Sequence, residues 1–295
     1  MDDLCDMLWR WLSFSHIWIA LGAMVTTLLS WVWMPDISPS GRQELILAGW
    51  VGLSTGLGYT LQRAIKHFRH PEILPPMRRV FWSRYKSVMV SSWGLLWLGY
   101  NGLFYEFLGW GAILRLTLIV GVGVASLMYA IAPGMNGGLR KVVWLKVPLI
   151  ALVWATITSH HPNQSFDVVL WLQRALFIGG LTLPFDIRDL DVDRPHMRTL
   201  ASVYSPPWVL GVARKCLLVA AALSAVHWNG HLQMGHVLLA GQAIWAWWLL
   251  RPDVALPRLT SKSETVRERC TGWVLDGVLV WPGIVLVLEP LGQWG

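Results

Sequence analysis

The chain has 295 residues, of which 55% are apolar and 14% charged, with a formal net charge of +7. A soluble domain carries about a quarter charged residues, so this composition excludes an ordinary water-soluble globule. Cys5, Cys216 and Cys270 are scattered and form no CxxC pair, which excludes a disulfide framework and a structural zinc site.

Crossing a bilayer takes roughly 20 mostly apolar residues in a helix. In chain order, the first such stretch is Trp11–Met34, which has no charged residue. Leu45–Gln62, Ser87–Tyr105 and Phe107–Ala132 follow, the last holding Arg115. Val142–Ser159 is interrupted by Lys146 and Pro148, Phe166–Phe185 carries Asp167 and Arg174, and Pro207–Val226 carries Arg214 and Lys215. Leu232–Leu250 is uncharged, and Cys270–Leu288 holds only Asp276. The pattern predicts an all-α, polytopic bundle of nine transmembrane helices, with residues 1–295 as one integral-membrane domain. The first stretch is too long for a signal peptide and follows Asp2, Asp3 and Asp6 rather than a basic segment, so it is expected to stay as a span. The 21 Trp residues read as interface belts and helix packing.

Charge orients the bundle. With the N-terminus inside, one side collects Arg10 and the seven cations Arg63, Lys66, Arg69, Arg78, Arg79, Arg84 and Lys86 of the second connection. The same side takes Arg140, Lys141 and Lys146 of the fourth, and Arg188, Arg194 and Arg198 of the sixth. Arg251, Arg258, Lys262, Arg267 and Arg269 of the eighth complete it, against Arg42 alone on the other side. The positive-inside rule then predicts a cytoplasmic N-terminus and cytoplasmic basic loops, as in a cell (inner) membrane protein. Basic loops beside anionic lipid headgroups account for the net charge without nucleic acid. The long connections Arg63–Lys86, Asp186–Pro206 and Arg251–Arg269 all lie on this side, where a site is expected.

Asp186, Asp189 and Asp193 close the sixth stretch at i, i+3, i+7. If the helix continues through them they share one face, with Asp191 pointing elsewhere. Stacked like charges call for a divalent metal, a basic partner helix or water. A carboxylate cluster at a membrane surface suits Mg²⁺, which bridges a few carboxylates to phosphate. A solvated helix end flanked by Arg188 and Arg194 is the bland alternative.

The run Leu181–Ala201, LTLPFDIRDLDVDRPHMRTLA, resembles the second aspartate-rich motif of the UbiA superfamily of intramembrane prenyltransferases. Asp189 and Asp193 form its D-x-x-x-D, Asp186 stands at the Asn/Asp position, and Arg198-Thr199-Leu200-Ala201 trails it. The resemblance implies a nine-helix bundle with a lateral prenyl cavity. It further implies Mg²⁺ on Asp189 and Asp193 with Asp186 assisting, and an isoprenoid diphosphate that alkylates an aromatic or quinone-type acceptor. On that reading Arg63, Lys66 and Arg198 bind the substrate.

The family's first motif, N-D-x-x-D-x-x-x-D, is altered. Its place, laid over the end of the second stretch, holds Gln62, Arg63, Lys66 and His70, and Gly41–Lys86 contains no Asp in any register. Arg and Lys offer no lone pair to Mg²⁺. Two outcomes follow: Arg63 and Lys66 pair with Asp186, Asp189 and Asp193 as a salt-bridged lock between helices, or they hold phosphate while Mg²⁺ stays on the aspartates. The second keeps a transferase. The first suits a catalytically silent relative that binds a lipid or quinone, or serves in a membrane complex. A transporter reading rests on composition alone.

Charges within spans face a cavity or a partner. Arg115, Arg174 and Asp276 are of this kind, and Arg174 is expected to pair with Asp276. Glu106 and Asp167 read as interfacial. His227 and His231 have the spacing of helical metal ligands but straddle the turn-like Trp228-Asn229-Gly230. Pro133–Gly138 is Gly-rich without a P-loop Lys-Ser/Thr, so it reads as a loop. Trp154 is a candidate for lining a prenyl cavity.

Overall fold

The computed structural model describes residues 2–34, 41–69, 71, 74–115, 143–162, 164–193, 198–226 and 234–283, without the side chains of 2–6, 107–115, 192–193 and 226. Every element among them is helical: α1 (Asp2–Phe14), α2 (Ile17–Val32), α3 (Arg42–Arg69), α4 (Pro76–Arg115), α5 (Lys146–Ser159), α6 (Val168–Arg188), α7 (Leu190–Asp193), α8 (Leu200–Val203), α9 (Pro206–Val226), α10 (Met234–Leu249), α11 (Pro252–Leu259) and α12 (Glu264–Glu268), followed by a π-helical segment (Arg269–Leu275) and α13 (Asp276–Val280).

The bundle is built around α6, which packs chiefly on α9 and α5, while α2 packs on α3 and α13 and α3 on α4. Its core is apolar, with Leu170, Phe177, Leu210, Leu217, Leu239 and Leu279 buried at the contacts. α3 approaches α2 so closely that a Cβ on Gly52 would lie 2.8 Å from the Ala20 carbonyl oxygen. Of the described helices, α6 and α9 are long and apolar enough to cross a membrane, and the end of α1 with α2 makes a third candidate as a bent pair.

Three expectations change. The stretch Trp11–Met34 is not one helix, because the chain bends by 64° between α1 and α2. His16 sits at the bend with φ 66°, a left-handed conformation that a non-glycine residue adopts only under local constraint. That constraint is visible: the His16 ring shares a 3.0 Å hydrogen bond with Thr60, and the Trp93 indole donates to the Ser15 carbonyl. The stretches Ser87–Tyr105 and Phe107–Ala132 do not separate at Glu106. One helix, α4, runs through to Arg115, since a charge that interrupts hydropathy leaves the backbone hydrogen-bond ladder intact. At 1.5 Å per residue its 40 residues span about 60 Å, twice a hydrocarbon core, so α4 extends beyond one.

Arg63–Lys86 is likewise not a long loop. Arg63, Lys66 and Arg69 end α3, and Arg78 to Lys86 begin α4. The remainder of Phe107–Ala132 beyond Arg115, the turn at 133–138 and His227 and His231 lie outside the described residues, as does the side chain of Arg115.

Candidate functional site

A cavity of about 280 Å³ lies between α3 and α5. Its walls are mostly apolar, with Trp50, Val51, Ile150, Val153, Trp154 and Ile157 among them, and Gln62, Arg63 and Lys66 at the C-terminal end of α3 make one end polar. Periodicity explains the placement. Gly58, Gln62 and Lys66 recur every four residues, and Thr55, Tyr59, Gln62 and Lys66 every three or four, so one stripe of α3 faces the slot. The Trp154 indole donates to the Tyr59 hydroxyl across it at 3.3 Å, tying α5 to α3. The expectation that Trp154 lines a cavity is met.

Asp186 and Asp189 sit at the end of α6, and Asp189 is within electrostatic reach of this polar end. Asp189 and Glu268 both act on Arg63, as do Arg78 and Arg188. The continuous acidic helix face is not formed. α6 stops at Arg188, Asp189 caps it with φ −89° and ψ 4°, and the short α7 resumes at Leu190. Asp186 is buried and Asp191 turns out to solvent, 4.0 Å from Arg267. The side chain of Asp193 lies outside the described residues, and Arg198 is exposed beyond α7.

Lys146 and Arg188 form salt bridges to the aspartates. Lys146, the first residue of α5, holds Asp186 at 2.7 Å. Arg188 holds Asp189 through both carboxylate oxygens, at 2.6 and 2.7 Å. Glu268 then joins Arg188, at 3.4 Å, to Arg78, at 2.7 and 3.0 Å, and Thr271 of the π-helical segment accepts from Arg188 at 2.9 Å. Arg63 makes no ion pair among the described residues. The physical reason lies in position: Lys146 and Arg188 begin or end the helices that carry the aspartates or pack on them, so they reach first. Burial raises the Asp189 carboxyl, but the Arg188 guanidinium outweighs it and holds the group well below the usual carboxylate range. Glu268 is lowered in the same way, with Arg188 and Arg78 overriding its burial. Both are therefore ionised at neutral pH.

Arg188 flanks the aspartates in the sequence, but no local spacing marks Arg78, Lys146 or Glu268 as partners, and Glu268 lies 80 residues from Arg188. Among the described residues no three His, Cys, Asp or Glu side chains gather as a metal set.

Deeper in the bundle, Arg174 is fully buried and does not pair with Asp276. It donates to Ser30 Oγ at 2.8 Å and Gln242 Oε1 at 3.1 Å, and Gln242 in turn donates to the Val278 carbonyl. Neutral oxygens on α2 and α10 lie nearer to its depth than Asp276, which instead feels Arg188 and Arg78. Asp167 caps α6, accepting from the Leu170 backbone N–H and the Trp33 indole.

No protein-family model matches the sequence, and no curated protein matches it. Solved structures do share its architecture. A UbiA homologue from Archaeoglobus fulgidus bound to GPP and Mg²⁺ superposes with a TM-score of 0.61 at 9% identity, over 94% of this chain and 99% of its own. A digeranylgeranylglyceryl phosphate synthase superposes with a TM-score of 0.52 at 15% identity, over 98% of this chain and 100% of its own. At these identities the likeness is one of fold.

Proposed function

We propose that this chain, which shares the UbiA-type helical fold, is a membrane prenyltransferase that takes an isoprenoid diphosphate in the cavity between α3 and α5 and passes the prenyl group to a lipophilic aromatic or quinone-type acceptor. The observation that carries this reading is the cavity itself: an apolar slot whose one polar end is cationic and stands beside the Asp186–Asp189 turn. In the same reading the chain is one nine-span domain, with its N-terminus and basic loops cytoplasmic in the cell (inner) membrane.

Each group has a part. The apolar walls take the prenyl tail out of water, and Arg63 and Lys66, with Arg198 from beyond α7, meet the diphosphate. The Tyr59 and Trp154 rings face the slot, and aromatic faces stabilise a neighbouring cation. In the reaction the C1–O bond breaks, diphosphate leaves with the electron pair, the allylic cation bonds to the acceptor ring, and the ring loses a proton.

Mg²⁺, which the Archaeoglobus homologue holds with GPP, would neutralise the leaving diphosphate. Asp189 and Asp193 are the residues that would hold it, with Asp186 assisting. Asp189 fits in kind, being a hard, ionised oxygen donor, although both its oxygens now serve Arg188.

The test is diphosphate release from geranyl, farnesyl and geranylgeranyl diphosphates by the protein in lipid nanodiscs with Mg²⁺ and quinone-type acceptors. Asp189→Asn should abolish it. The engaged Asp186 and Asp189 and the acid-free α3 face favour a second reading, a silent relative that binds lipid or quinone or serves in a membrane complex. Absence of turnover with all three chain lengths would leave that one standing.

A further inference from the structure

Arg174 lies within α6 with 0% of its surface exposed, and a guanidinium keeps its charge even there. Two of its three nitrogens are engaged, Nε by Ser30 Oγ at 2.8 Å and Nη1 by Gln242 Oε1 at 3.1 Å. These neutral oxygens complete hydrogen bonds without cancelling the charge. A charge inside a spanning bundle calls for an opposite one. Yet α2, α9 and α10 carry no acid. On the side of α6 itself, Asp167 and Asp186 stand about 10 and 18 Å away along the axis. Both are engaged, Asp167 by the Leu170 N–H and the Trp33 indole, and Asp186 by Lys146. The Phe177 ring, 5.8 Å from the guanidinium carbon, supplies only the weak field of an aromatic face.

The third nitrogen, Nη2, is buried without a protein partner, and so is the hydroxyl of Thr26, itself 0% exposed. Thr26 precedes Ser30 by one turn on the same face of α2, and the Ser30 hydroxyl donates back to the Thr26 carbonyl at 2.8 Å. Nη2 shares the guanidinium edge of Nε, so the two orphan donors flank Ser30 without bonding each other. A water accepting from both would still have two O–H groups to place, and it would bring no charge. A halide accepts from both and needs no acceptor. We propose that Arg174 Nη2 and Thr26 Oγ1 hold a chloride ion where α2, α6 and α10 meet, as the counter-ion of the buried guanidinium. Gln242 extends this node to α13, donating to the Val278 carbonyl at 2.9 Å. Arg174 is not among the walls of the α3–α5 slot, so the ion serves the bundle and is independent of the prenyl reading.

Chloride is substituted for gluconate at constant ionic strength around the full-length protein in phosphatidylcholine nanodiscs, and thermal unfolding is followed by Trp fluorescence. An ion bound only by the folded state should raise the midpoint by about 2–4 °C for each ten-fold rise in chloride above its dissociation constant. Bromide should act in the same way, and its anomalous diffraction should place it beside Arg174 Nη2. Arg174→Gln should abolish the response. Thr26→Val, which keeps the guanidinium and the side-chain shape, should require about ten-fold more chloride for the same midpoint, the weight of one hydrogen bond to an ion. That variant also decides the matter if Arg174→Gln does not fold. Arg69→Gln, at the exposed end of α3, should respond as the unsubstituted protein does. A midpoint indifferent to chloride overturns the proposal. So does a response that survives both substitutions, which marks an ion on the surface, or a bromide peak remote from Nη2.

Discussion

Replacing Glu268 with Ala tests the charged network that positions the site. Its side chain is 2% exposed and touches the guanidinia of Arg78 and Arg188, from the start of α4 and the end of α6. Two charges 4 Å apart attract by about 4 kcal/mol at an effective dielectric of 20. Removing one partner of a buried pair costs about 3–5 kcal/mol, because the other is left desolvated. Glu268→Ala is therefore expected to cost about 3–5 kcal/mol, a large part of a typical folding stability of roughly 5–15 kcal/mol. Thermal unfolding in detergent, followed by Trp fluorescence, reads the loss. The double variant Glu268→Ala/Arg78→Ala should lose less than the two single losses together, by about 0.5–3 kcal/mol. Asp191→Ala is the internal control. Its side chain is 76% exposed and meets Arg267 only at 4.0 Å, so it should stay within about 0.5 kcal/mol of the parent. A Glu268→Ala loss no larger than the Asp191→Ala loss would refute the reasoning, since the network would then be solvated.

Gly58 lines the cavity, and a Cβ built on it meets nothing within 4 Å. Gly58→Leu should plug the slot and abolish thermal stabilisation by farnesyl diphosphate, while leaving stability equal or higher by up to about 1 kcal/mol through helix propensity. Gly52→Ala should do the reverse, losing about 1–3 kcal/mol of stability because its Cβ would stand 2.8 Å from a backbone oxygen. His161, just beyond α5, is pushed down by burial, with His160 adding to it, from 6.5 to about 4. Its folded form resists protonation, so its contribution is complete above pH 6.5 and fades as pH falls toward 4; a thermal-unfolding series over that window should flatten in His161→Gln. Asp189 and Glu268 are also lowered, so their contributions hold above their ordinary values, 3.8 and 4.5, and fade only at more acid pH. Asp189→Asn should remove that most acid part of the profile.

The fold was legible where it rests on long apolar runs. α6 and α9 appear within three residues of their expected ends although each stretch carries two charges, and Pro206 marks a start. The bend at His16 was not legible, since it depends on Thr60 and Trp93, 44 and 77 residues away. At the site, the spacing of Asp186, Asp189 and Asp193 located the acidic turn, and the cations of α3 were seen as its opposite wall. What spacing could not supply was the assignment of partners. Arg188 flanks the aspartates in the sequence, but its 3.4 Å contact with Glu268 follows from packing between distant helices. Arg174 misled for the same reason: a buried charge suggests an opposite charge, but Ser30 and Gln242 satisfy it with neutral oxygens.

The central claim is that an isoprenoid chain occupies the slot between α3 and α5. Photolabelling with a benzophenone-bearing isoprenoid diphosphate, followed by peptide mapping, tests it most directly. The account predicts adducts within residues 50–66 and 150–158, suppressed by excess farnesyl diphosphate and absent in Gly58→Leu. Adducts confined to the exposed face of α4 around Leu95 and Leu98, or adducts that farnesyl diphosphate does not suppress, would contradict it.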